Sequence, residues 1–369
     1  MSVIAAVGSA VPDHRYPQEQ ITEAFAEVVL GDAHDRLPVL RRLHSSARVE
    51  TRHLALPLAD YAGLDGFTAS NDAFIEVGLL LAERAVGQAL AEAGLEPEDV
   101  DLIVSTTVTG VAAPSLDARL VARLGLRPDV KRVPMFGLGC VAGAAGVARL
   151  HDYLLGHPDE VAVLVAVELC SLTVQRDDTS MANLVASGLF GDGAAAVVMT
   201  GAARAPRPAV AGQVAGQIGV PVGAARPVVV ASRSRMYPDT ERVMGWDIGT
   251  TGFRIVLDAT VPDVIEKYLR PDVDAFLAEH GLVVGDIGTW VAHPGGPKVL
   301  EAMQRCLELD EGALGLTWES LAAVGNLSSA SVLQVLQATL ARRSPPAGSH
   351  GLLLAMGPGF CAELVLLRW

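Results

Sequence analysis

Three residues of this chain, Cys140, His293 and Asn326, could act together in acyl transfer. Each lies beside glycine at the predicted end of a strand or start of a helix, where the backbone leaves room for a substrate. A cysteine at a helix start meets unpaired N–H groups and a partial positive charge, so we expect its thiol to ionise easily. The three would supply a nucleophile, a base and an amide donor.

Each of these residues also has a simpler explanation. A lone cysteine among small apolar residues usually fills a core, and a single histidine is usually structural or exposed. An asparagine in front of a helix is most often its N-cap. Taken one at a time, the residues therefore do not distinguish a catalytic group from structural side chains.

A dinucleotide-binding turn is the second interpretation of the segment around Cys140. The pattern Gly137-x-Gly139-x-x-Ala142 follows a predicted strand and opens a helix, as in nicotinamide-dependent dehydrogenases. Glu168 ends the next apolar run, where an acidic side chain could hold a ribose. It lies further along the chain than the usual spacing of about 20 residues, so the match is imperfect.

The surrounding elements alternate between strand and helix patterns, which indicates an α/β protein. Cys140 follows a predicted strand at 133–136 and opens a helix of small and apolar residues. Other predicted helices cover 18–30, 39–43, 71–93, 115–124 and 181–190, and a helix over 261–280 is expected to break at Pro271. Other predicted strands cover 100–106, 161–167, 194–200 and 227–232.

The order of motifs in the first half recurs in the second half. Residues 286–293 repeat the acidic turn and apolar strand of 99–106, 325–333 repeat the glycine and small-residue helix of 139–147, and 355–359 repeat the glycine turn of 190–193. We predict two related halves, 1–222 and 223–369, joined by an irregular connection at 201–225. In that arrangement Cys140 and Asn326 start equivalent helices that face one another.

Composition and charge argue against several classes of function. A formal net charge of −14 argues against a nucleic-acid partner. Four scattered cysteines without metal-type spacing indicate reduced thiols in a cytoplasmic protein and predict no metal site. No apolar run reaches the length of a membrane span, and the N-terminus has the pattern of a first strand rather than a signal peptide.

Five ordered motifs resemble those of type III polyketide synthases, the chalcone and stilbene synthase family. They are GLGCVAGAAG at 137–146, LFGDGAAA at 189–196, HPGGPKVL at 293–300, GNLSSASVL at 325–333 and MGPG at 356–359. The resemblance implies a thiolase fold, five-layered αβαβα and built from two duplicated halves. It also implies a homodimer that uses free acyl-CoA and malonyl-CoA thioesters, with no metal or redox cofactor.

The resemblance assigns roles to individual residues. It makes Cys140 the acyl-accepting nucleophile, His293 its base and oxyanion donor, Asn326 the second donor and Phe190 an aromatic gate. The other residues implied for the substrate pocket are Thr109, Ala113, Cys170, Thr173, Gly357 and Pro358. The residues proposed for coenzyme A are Arg48, Arg52, Gly295 and Lys298.

The side chains at Thr109, Ala113 and Cys170 are small, which favours a tunnel for a long fatty acyl starter and an alkylpyrone or alkylresorcinol product. The motif wording also resembles that of bacterial alkylresorcinol and alkylpyrone synthases. The alternative is that these small residues only pack helices. Starter length, the number of extensions and the mode of ring closure depend on cavity shape.

Two further functions share this constellation. A ketoacyl synthase that initiates fatty acid chains has the same Cys, His and Asn, but it typically carries His-Gln-Ala-Asn where this chain has HPGG at 293–296, and it needs an acyl carrier protein. A non-catalytic acyl-binding protein on the same fold would not use Cys140 at all.

Overall fold

The computed structural model describes residues 1–176, 178–204, 226–342 and 345–369. Its strands are β1 (Ser2–Ala10), β2 (His14–Pro17), β3 (Thr51–Leu54), β4 (Leu102–Thr107), β5 (Lys131–Phe136), β6 (Val161–Leu169), β7 (Asp192–Gly201), β8 (Val228–Met236), β9 (Met244–Gly249), β10 (Gly252–Leu257), β11 (Ile287–Ala292), β12 (His350–Gly357) and β13 (Cys361–Arg368). Its α-helices are α1 (Gln18–Leu30), α2 (Leu37–Ser46), α3 (Gly66–Ala93), α4 (Leu116–Leu124), α5 (Ala142–Gly156), α6 (Met181–Leu189), α7 (Val261–Ala278), α8 (Pro297–Leu307), α9 (Gly315–Val324) and α10 (Ser329–Arg342).

Nine strands form one mixed sheet in the order β11-β12-β13-β8-β1-β7-β6-β4-β5. Parallel pairs lie towards both ends, β11 with β12 on one side and β4 with β5 and β6 on the other. The two halves of the sheet are joined where β1 meets β8, through the pairs Ser2–Val229 and Val3–Val228. This narrow junction lets the two halves face one another across a layer of helices.

Three hydrophobic clusters lie between the five layers, and one of them surrounds the central helices. Strand β6 is buried on both faces: Val163 and Val165 pack towards α1, α3 and α4, whereas Leu164 packs towards α5 and α10. On the other half of the sheet, Leu353 of β12 faces the same central helices and Leu352 faces α7 and α8. Side chains alternate along a strand, so a strand covered by helices on both sides is apolar throughout. The predicted five-layered αβαβα fold is confirmed.

The repeated sequence segments occupy matching places in the two halves. The repeated acidic turns lead into β4 and β11, and the two small-residue helices, α5 and α10, pack together in the central layer. A Cβ added to Gly143 of α5 would lie 2.3 Å from the Ser329 backbone oxygen of α10, so only glycine permits this approach. Most of the predicted connection, residues 205–225, and the boundary between 222 and 223 lie outside the described residues.

Helix α7 corrects one prediction. It runs unbroken from Val261 to Ala278 with Pro271 inside it. Proline removes one hydrogen bond within a helix, but Pro271 is exposed, so water can satisfy the backbone carbonyl that is left without a partner. No helix within 1–176, 178–204, 226–342 and 345–369 is both long and apolar enough to cross a membrane.

Candidate active site

Cys140 lies in the single turn Gly139–Val141, between strand β5 and helix α5. The turn needs glycine because Gly137 and Gly139 have φ values of +95° and +54°. A Cβ on Gly139 would also lie 2.6 Å from the ring of Pro358. The thiol is 7% exposed, and its Sγ lies 3.6 Å from the Ser328 hydroxyl oxygen.

His293 follows strand β11, and its backbone N–H donates to the Leu354 carbonyl of β12 at 2.8 Å. The residue is 3% exposed, and neither ring nitrogen has a hydrogen-bond partner among the described residues. Buried polar atoms are nearly always paired, so two unpaired nitrogens that face a cavity indicate that a ligand supplies the partner. Burial lowers the pKa of His293 to about 3, so the ring is neutral at physiological pH.

Asn326 is held by a local turn in front of helix α10. Its side-chain oxygen accepts a hydrogen bond from the Ser328 backbone N–H at 2.8 Å. With the oxygen occupied, the amide N–H groups are the donors that remain to the side chain, and hydrogen bonding by Asn326 acts to lower the pKa of the Cys140 thiol. Asn326 thus forms the turn expected of a helix start and also contacts the cysteine.

Phe190 ends helix α6 and crosses the segment that carries Asn326. The two residues form an isolated parallel bridge, in which Asn326 donates its backbone N–H to Leu189 at 2.9 Å and Gly191 donates to Asn326 at 3.0 Å. A Cβ on Gly191 would lie 2.3 Å from the Val324 carbonyl oxygen. Backbone contacts therefore fix the aromatic side chain relative to the amide.

The cysteine, the histidine and the asparagine line one apolar cavity, which we call the His293 cavity. Its other lining residues are Leu189, Phe190, Met244, Ile255, Leu257, Val261, Ile265, Gly295, Val299, Met356 and Phe360. A second cavity, the Trp246 cavity, shares Cys140 and Phe190 with it and adds Trp246, Cys170 and Pro358. Cys140 thus lines both cavities, whereas His293 lines only the first of them.

The ionisation of Cys140 differs from the sequence prediction. Burial raises the pKa of the Cys140 thiol to about 12, although hydrogen bonding with Ser328 and Asn326 acts in the opposite direction. The expectation that a helix start would make the thiol ionise easily is therefore wrong, because desolvation exceeds the effect of the helix. The resting pair is a neutral thiol and a neutral imidazole.

Glu168 also corrects the dinucleotide interpretation. Its carboxylate is fully buried, where it accepts hydrogen bonds from the Thr109 hydroxyl at 3.0 Å, the Val108 backbone N–H at 3.1 Å and the Ser329 hydroxyl. Burial raises the pKa of this carboxyl to about 7. An acid enclosed in this way cannot hold a ribose, and Pro358 fills the space against Gly139 where a pyrophosphate would lie.

The predicted pocket residues have different outcomes. Cys170 and Pro358 line the Trp246 cavity, and Gly357 packs against the Cys140 turn, where a Cβ would lie 2.8 Å from the Val141 nitrogen. Ala113 is exposed in the single chain and lines neither cavity, so its place in the pocket stays a prediction.

Thr109 and Thr173 are buried but lie outside the linings of both cavities. Thr109 is hydrogen-bonded to Glu168, and Thr173 donates to the Cys170 carbonyl at 2.7 Å. Their hydroxyl groups are therefore used within the protein, and the predicted tunnel of small residues retains only Cys170.

The residues proposed for coenzyme A also have different outcomes. Arg52 is 1% exposed, and its guanidinium donates to Gln18 at 2.9 Å and to the Phe190 carbonyl at 2.7 Å. It cannot reach a phosphate, so this prediction is wrong. Gly295 lines the His293 cavity, and Lys298 is exposed on the first turn of α8. Arg48 is exposed beside the same helix, where it pairs with Glu301 at 3.1 Å.

Sequence reasoning did not identify the β9–β10 hairpin as a cavity wall. Met244 and Ile255 line both cavities, and Trp246 lines the second one. The available signal was the turn Gly249-Thr-Thr-Gly252 between two runs rich in apolar residues, which is typical of a hairpin. A larger groove beside α1 is lined by neither cysteine nor histidine. The described residues contain no cluster of three or more potential metal ligands.

Comparisons with known proteins show the family to which the chain belongs. The family model "Chalcone and stilbene synthases, N-terminal domain" matches residues 1–203, and the corresponding C-terminal domain matches 228–369. The chain is 59% identical over 366 residues to a 1,3,6,8-tetrahydroxynaphthalene synthase of Streptomyces peucetius subsp. caesius, with 99% of this chain and 93% of that protein covered. It is 30% identical to the "Alpha-pyrone synthesis polyketide synthase-like Pks18" of Mycobacterium tuberculosis, with 99% and 91% covered.

A solved structure supports the same assignment. The crystal structure of 1,3,6,8-tetrahydroxynaphthalene synthase from Streptomyces coelicolor A3(2), a bacterial type III polyketide synthase, superposes with a TM-score of 0.89 at 31% identity. The alignment covers 100% of this chain and 99% of that one. With both family models matched and a neutral thiol, imidazole and amide around one apolar cavity, the chain belongs to the chalcone and stilbene synthase family and is a type III polyketide synthase, an acyltransferase.

Proposed function

We propose that the chain catalyses repeated decarboxylative condensation of malonyl-CoA on Cys140. In the loading step, His293 accepts the thiol proton as Sγ attacks the thioester carbonyl, and the same proton then goes to the departing coenzyme A thiolate. Proton transfer during attack suits the structure, because burial keeps both groups neutral beforehand. The acyl group is then held as a thioester on Cys140.

In the extension step, His293 and Asn326 would hold the thioester oxygen of a malonyl-CoA. Loss of CO₂ leaves an enolate, and donors aimed at its oxygen stabilise the developing charge in the apolar cavity. The enolate carbon attacks the acyl carbonyl and releases the Cys140 thiolate. The two unpaired ring nitrogens of His293, which lines one cavity together with Asn326, are the observation that supports this step.

For the starter and product, we propose that malonyl-CoA alone gives a polyhydroxylated naphthalene. The relative that is 59% identical across nearly the whole chain is named a 1,3,6,8-tetrahydroxynaphthalene synthase. That ring system has ten carbons, equal to five two-carbon units, with oxygens on alternate carbons. Five malonyl-CoA would give C₁₀H₈O₄, five CO₂, five coenzyme A and one water, so no reductant or oxidant is required.

The cavity walls also favour a short starter. Of the three small residues that suggested a tunnel, only Cys170 lines a cavity, and Trp246 forms part of the wall of that same cavity. A fatty acyl starter and an alkylpyrone or alkylresorcinol product remain the second candidate, which the M. tuberculosis relative named for alpha-pyrone synthesis supports at 30% identity.

A starter panel separates these candidates. Purified enzyme is incubated with malonyl-CoA alone and with malonyl-CoA plus acetyl-, hexanoyl- or palmitoyl-CoA, and products are identified by accurate mass. We expect C₁₀H₈O₄ from malonyl-CoA alone. A clear preference for palmitoyl-CoA, with an alkylated product and no naphthalene, would favour the alkylpyrone or alkylresorcinol candidate.

The carrier of the malonyl group distinguishes this function from a ketoacyl synthase. We expect turnover with free malonyl-CoA, whereas turnover only with malonyl carried on an acyl carrier protein would reverse the proposal. The Cys140→Ala variant tests the non-catalytic alternative, since a protein that only binds acyl groups would bind them unchanged. We expect that variant to lose both acylation and product.

We further propose that coenzyme A enters beside helix α8 and that the enzyme is a cytoplasmic homodimer. Exposed Lys298 and Arg48 lie next to the end of the His293 cavity lined by Gly295 and Val299, where they could meet phosphate groups.

Strand β5 is the last strand of the sheet, and its side chains Val133 and Phe136 are 46% and 49% exposed, which suits pairing with a second copy. Light scattering measures the oligomeric state.

A further inference from the structure

Arg52 is a buried cation that the proposed chemistry does not use directly. It lies on the short strand β3, and its side chain is 1% exposed. Lys and Arg are almost never fully buried unless they are paired, so a guanidinium in the interior requires an explanation. Its surroundings show that it supports the segment that carries Phe190 and Asn326.

The guanidinium caps the C-terminal end of helix α6. Arg52 donates through Nη1 to the Phe190 carbonyl at 2.7 Å, and Gln18 donates to the Gly188 carbonyl at 2.6 Å. The last carbonyls of a helix have no partners within the helix and carry partial negative charge, so a cation is favourable there. Arg52 also donates through Nε to the Gln18 side chain at 2.9 Å, which links the two caps.

The aliphatic part of Arg52 packs against the segment that carries Asn326, which crosses the Phe190 segment. A Cβ added to Gly325 would lie 3.3 Å from Cγ and Cδ of Arg52, and Gly325 directly precedes Asn326. Strand β3 is itself fixed to the end of α9, since the Glu50 N–H donates to Ala322 at 2.8 Å and the Thr51 hydroxyl donates to Ala323 at 2.7 Å. The Arg52 side chain therefore contacts both the Phe190 segment and the Asn326 segment.

The planar guanidinium is suited to this task. Two of its nitrogens bond at fixed angles to acceptors on different elements, which sets the position of the Phe190 backbone relative to Gln18. A lysine could keep the positive charge, but it cannot reproduce this fork. Asp192, which lies close enough to act on the charge of Arg52, is fully buried, so a substitution that removes the charge would leave that carboxylate with only its hydrogen bonds, such as those from the Ala55 and Ser171 N–H groups.

We infer that Arg52 is a positioning residue for condensation, because it fixes the crossing of Phe190 with Asn326 and thereby aims the Asn326 amide. This inference rests on the proposed function, in which Asn326 acts in malonyl decarboxylation. Loading of Cys140 depends on Cys140 and His293, which lie on other segments. Displacement of the crossing should therefore impair decarboxylation more than loading.

The test uses Arg52→Lys in the full-length enzyme, with Arg41→Lys as the matched control. Arg41 is an exposed arginine on α2 that pairs with Glu23. Release of labelled CO₂ from malonyl-CoA gives the decarboxylation rate, and rapid-quench intact-protein mass gives the rate of Cys140 loading. We expect decarboxylation to fall about 100-fold, as misplacement of a catalytic group by about 1 Å does, with loading reduced less than tenfold.

The ratio of the two rates separates positioning from a general structural role. A smaller folded fraction lowers both rates by the same factor and leaves their ratio unchanged, so an unchanged ratio in Arg52→Lys would overturn the inference. If that variant does not fold, Gln18→Met removes the Nε acceptor while keeping the charge, and the same shift in ratio is expected. Absence of CO₂ release from the wild-type enzyme would instead refute the proposed function.

Discussion

Replacement of Glu168 by glutamine tests the electrostatic description of the site. Glu168 is fully buried beneath the Cys140 turn, and burial raises its pKa from 4.5 to about 7 despite the hydrogen bonds from Ser329, the Val108 N–H and Thr109. The folded protein therefore binds a proton at this group more tightly than the unfolded chain does. Its contribution to stability is complete below pH 4.5 and is lost as the pH rises towards 7.

The magnitude follows from the two pKa values. One pKa unit corresponds to about 1.4 kcal/mol, so the difference between 4.5 and about 7 amounts to about 3 kcal/mol. Most of this, about 2.5 kcal/mol, falls between pH 5 and pH 8.5. Glutamine does not titrate and keeps one acceptor oxygen and the shape of the side chain. The stability of wild type relative to Glu168→Gln should therefore decrease by about 2.5 kcal/mol over that interval.

The assay is urea denaturation of both proteins in parallel at pH 5, 6, 7 and 8.5. Other titrating groups contribute equally to both proteins and cancel in the difference between the midpoints. Glu83→Gln, an exposed glutamate that pairs with Arg123, controls for the chemical change itself. A difference between wild type and Glu168→Gln that stays constant over the whole pH range would show that the carboxyl is already ionised at pH 5 and would refute the reasoning.

Three further predictions concern the cysteine, the central helices and the coenzyme. Because burial raises the pKa of Cys140 to about 12, alkylation by iodoacetamide should accelerate about tenfold per pH unit between pH 7 and 9, and a plateau near pH 7 would contradict this. Gly143→Ala should lower the free energy of unfolding by about 1–3 kcal/mol, since its methyl group would lie 2.3 Å from a backbone oxygen of α10. Gly156→Ala, in the same helix but with open space, is the control in thermal melts. Lys298→Ala should raise the KM for malonyl-CoA about fivefold without changing kcat, the effect of about 1 kcal/mol of surface electrostatics, whereas Lys267→Ala on α7 should change neither.

The sequence predicted the arrangement of the site because that arrangement depends on glycines and repeats. The duplicated motifs placed Cys140 and Asn326 at the starts of equivalent helices, and the structure packs α5 against α10 in the central layer. The glycine patterns marked places where one backbone approaches another, such as Gly143 against Ser329. These features are encoded locally, one turn at a time, so they can be read without tertiary information.

Burial and protonation could not be predicted in the same way. Arg52 was proposed to bind coenzyme A, whereas the fold buries it and bonds its guanidinium to the Phe190 carbonyl. The thiol pKa depends on the depth of the Cys140 turn in the protein, and helix position alone gave the wrong direction. The positions of Ala113 and Trp246 relative to the cavities depend on the placement of a loop and of a hairpin. That placement is set by packing between elements distant in sequence.

Two kinds of contact surround the cysteine, and they should differ in their tolerance of change. The candidate catalytic groups are held by contacts between backbone segments, where a single methyl group on Gly143, Gly191 or Gly357 would collide with main-chain atoms. The outer wall is the β9–β10 hairpin, a separate two-stranded sheet whose Met244, Trp246 and Ile255 side chains line the Trp246 cavity. Substitutions such as Trp246→Gly could therefore reshape the space for the growing chain while the condensing geometry stays intact. The hairpin is where new products from this scaffold should be sought.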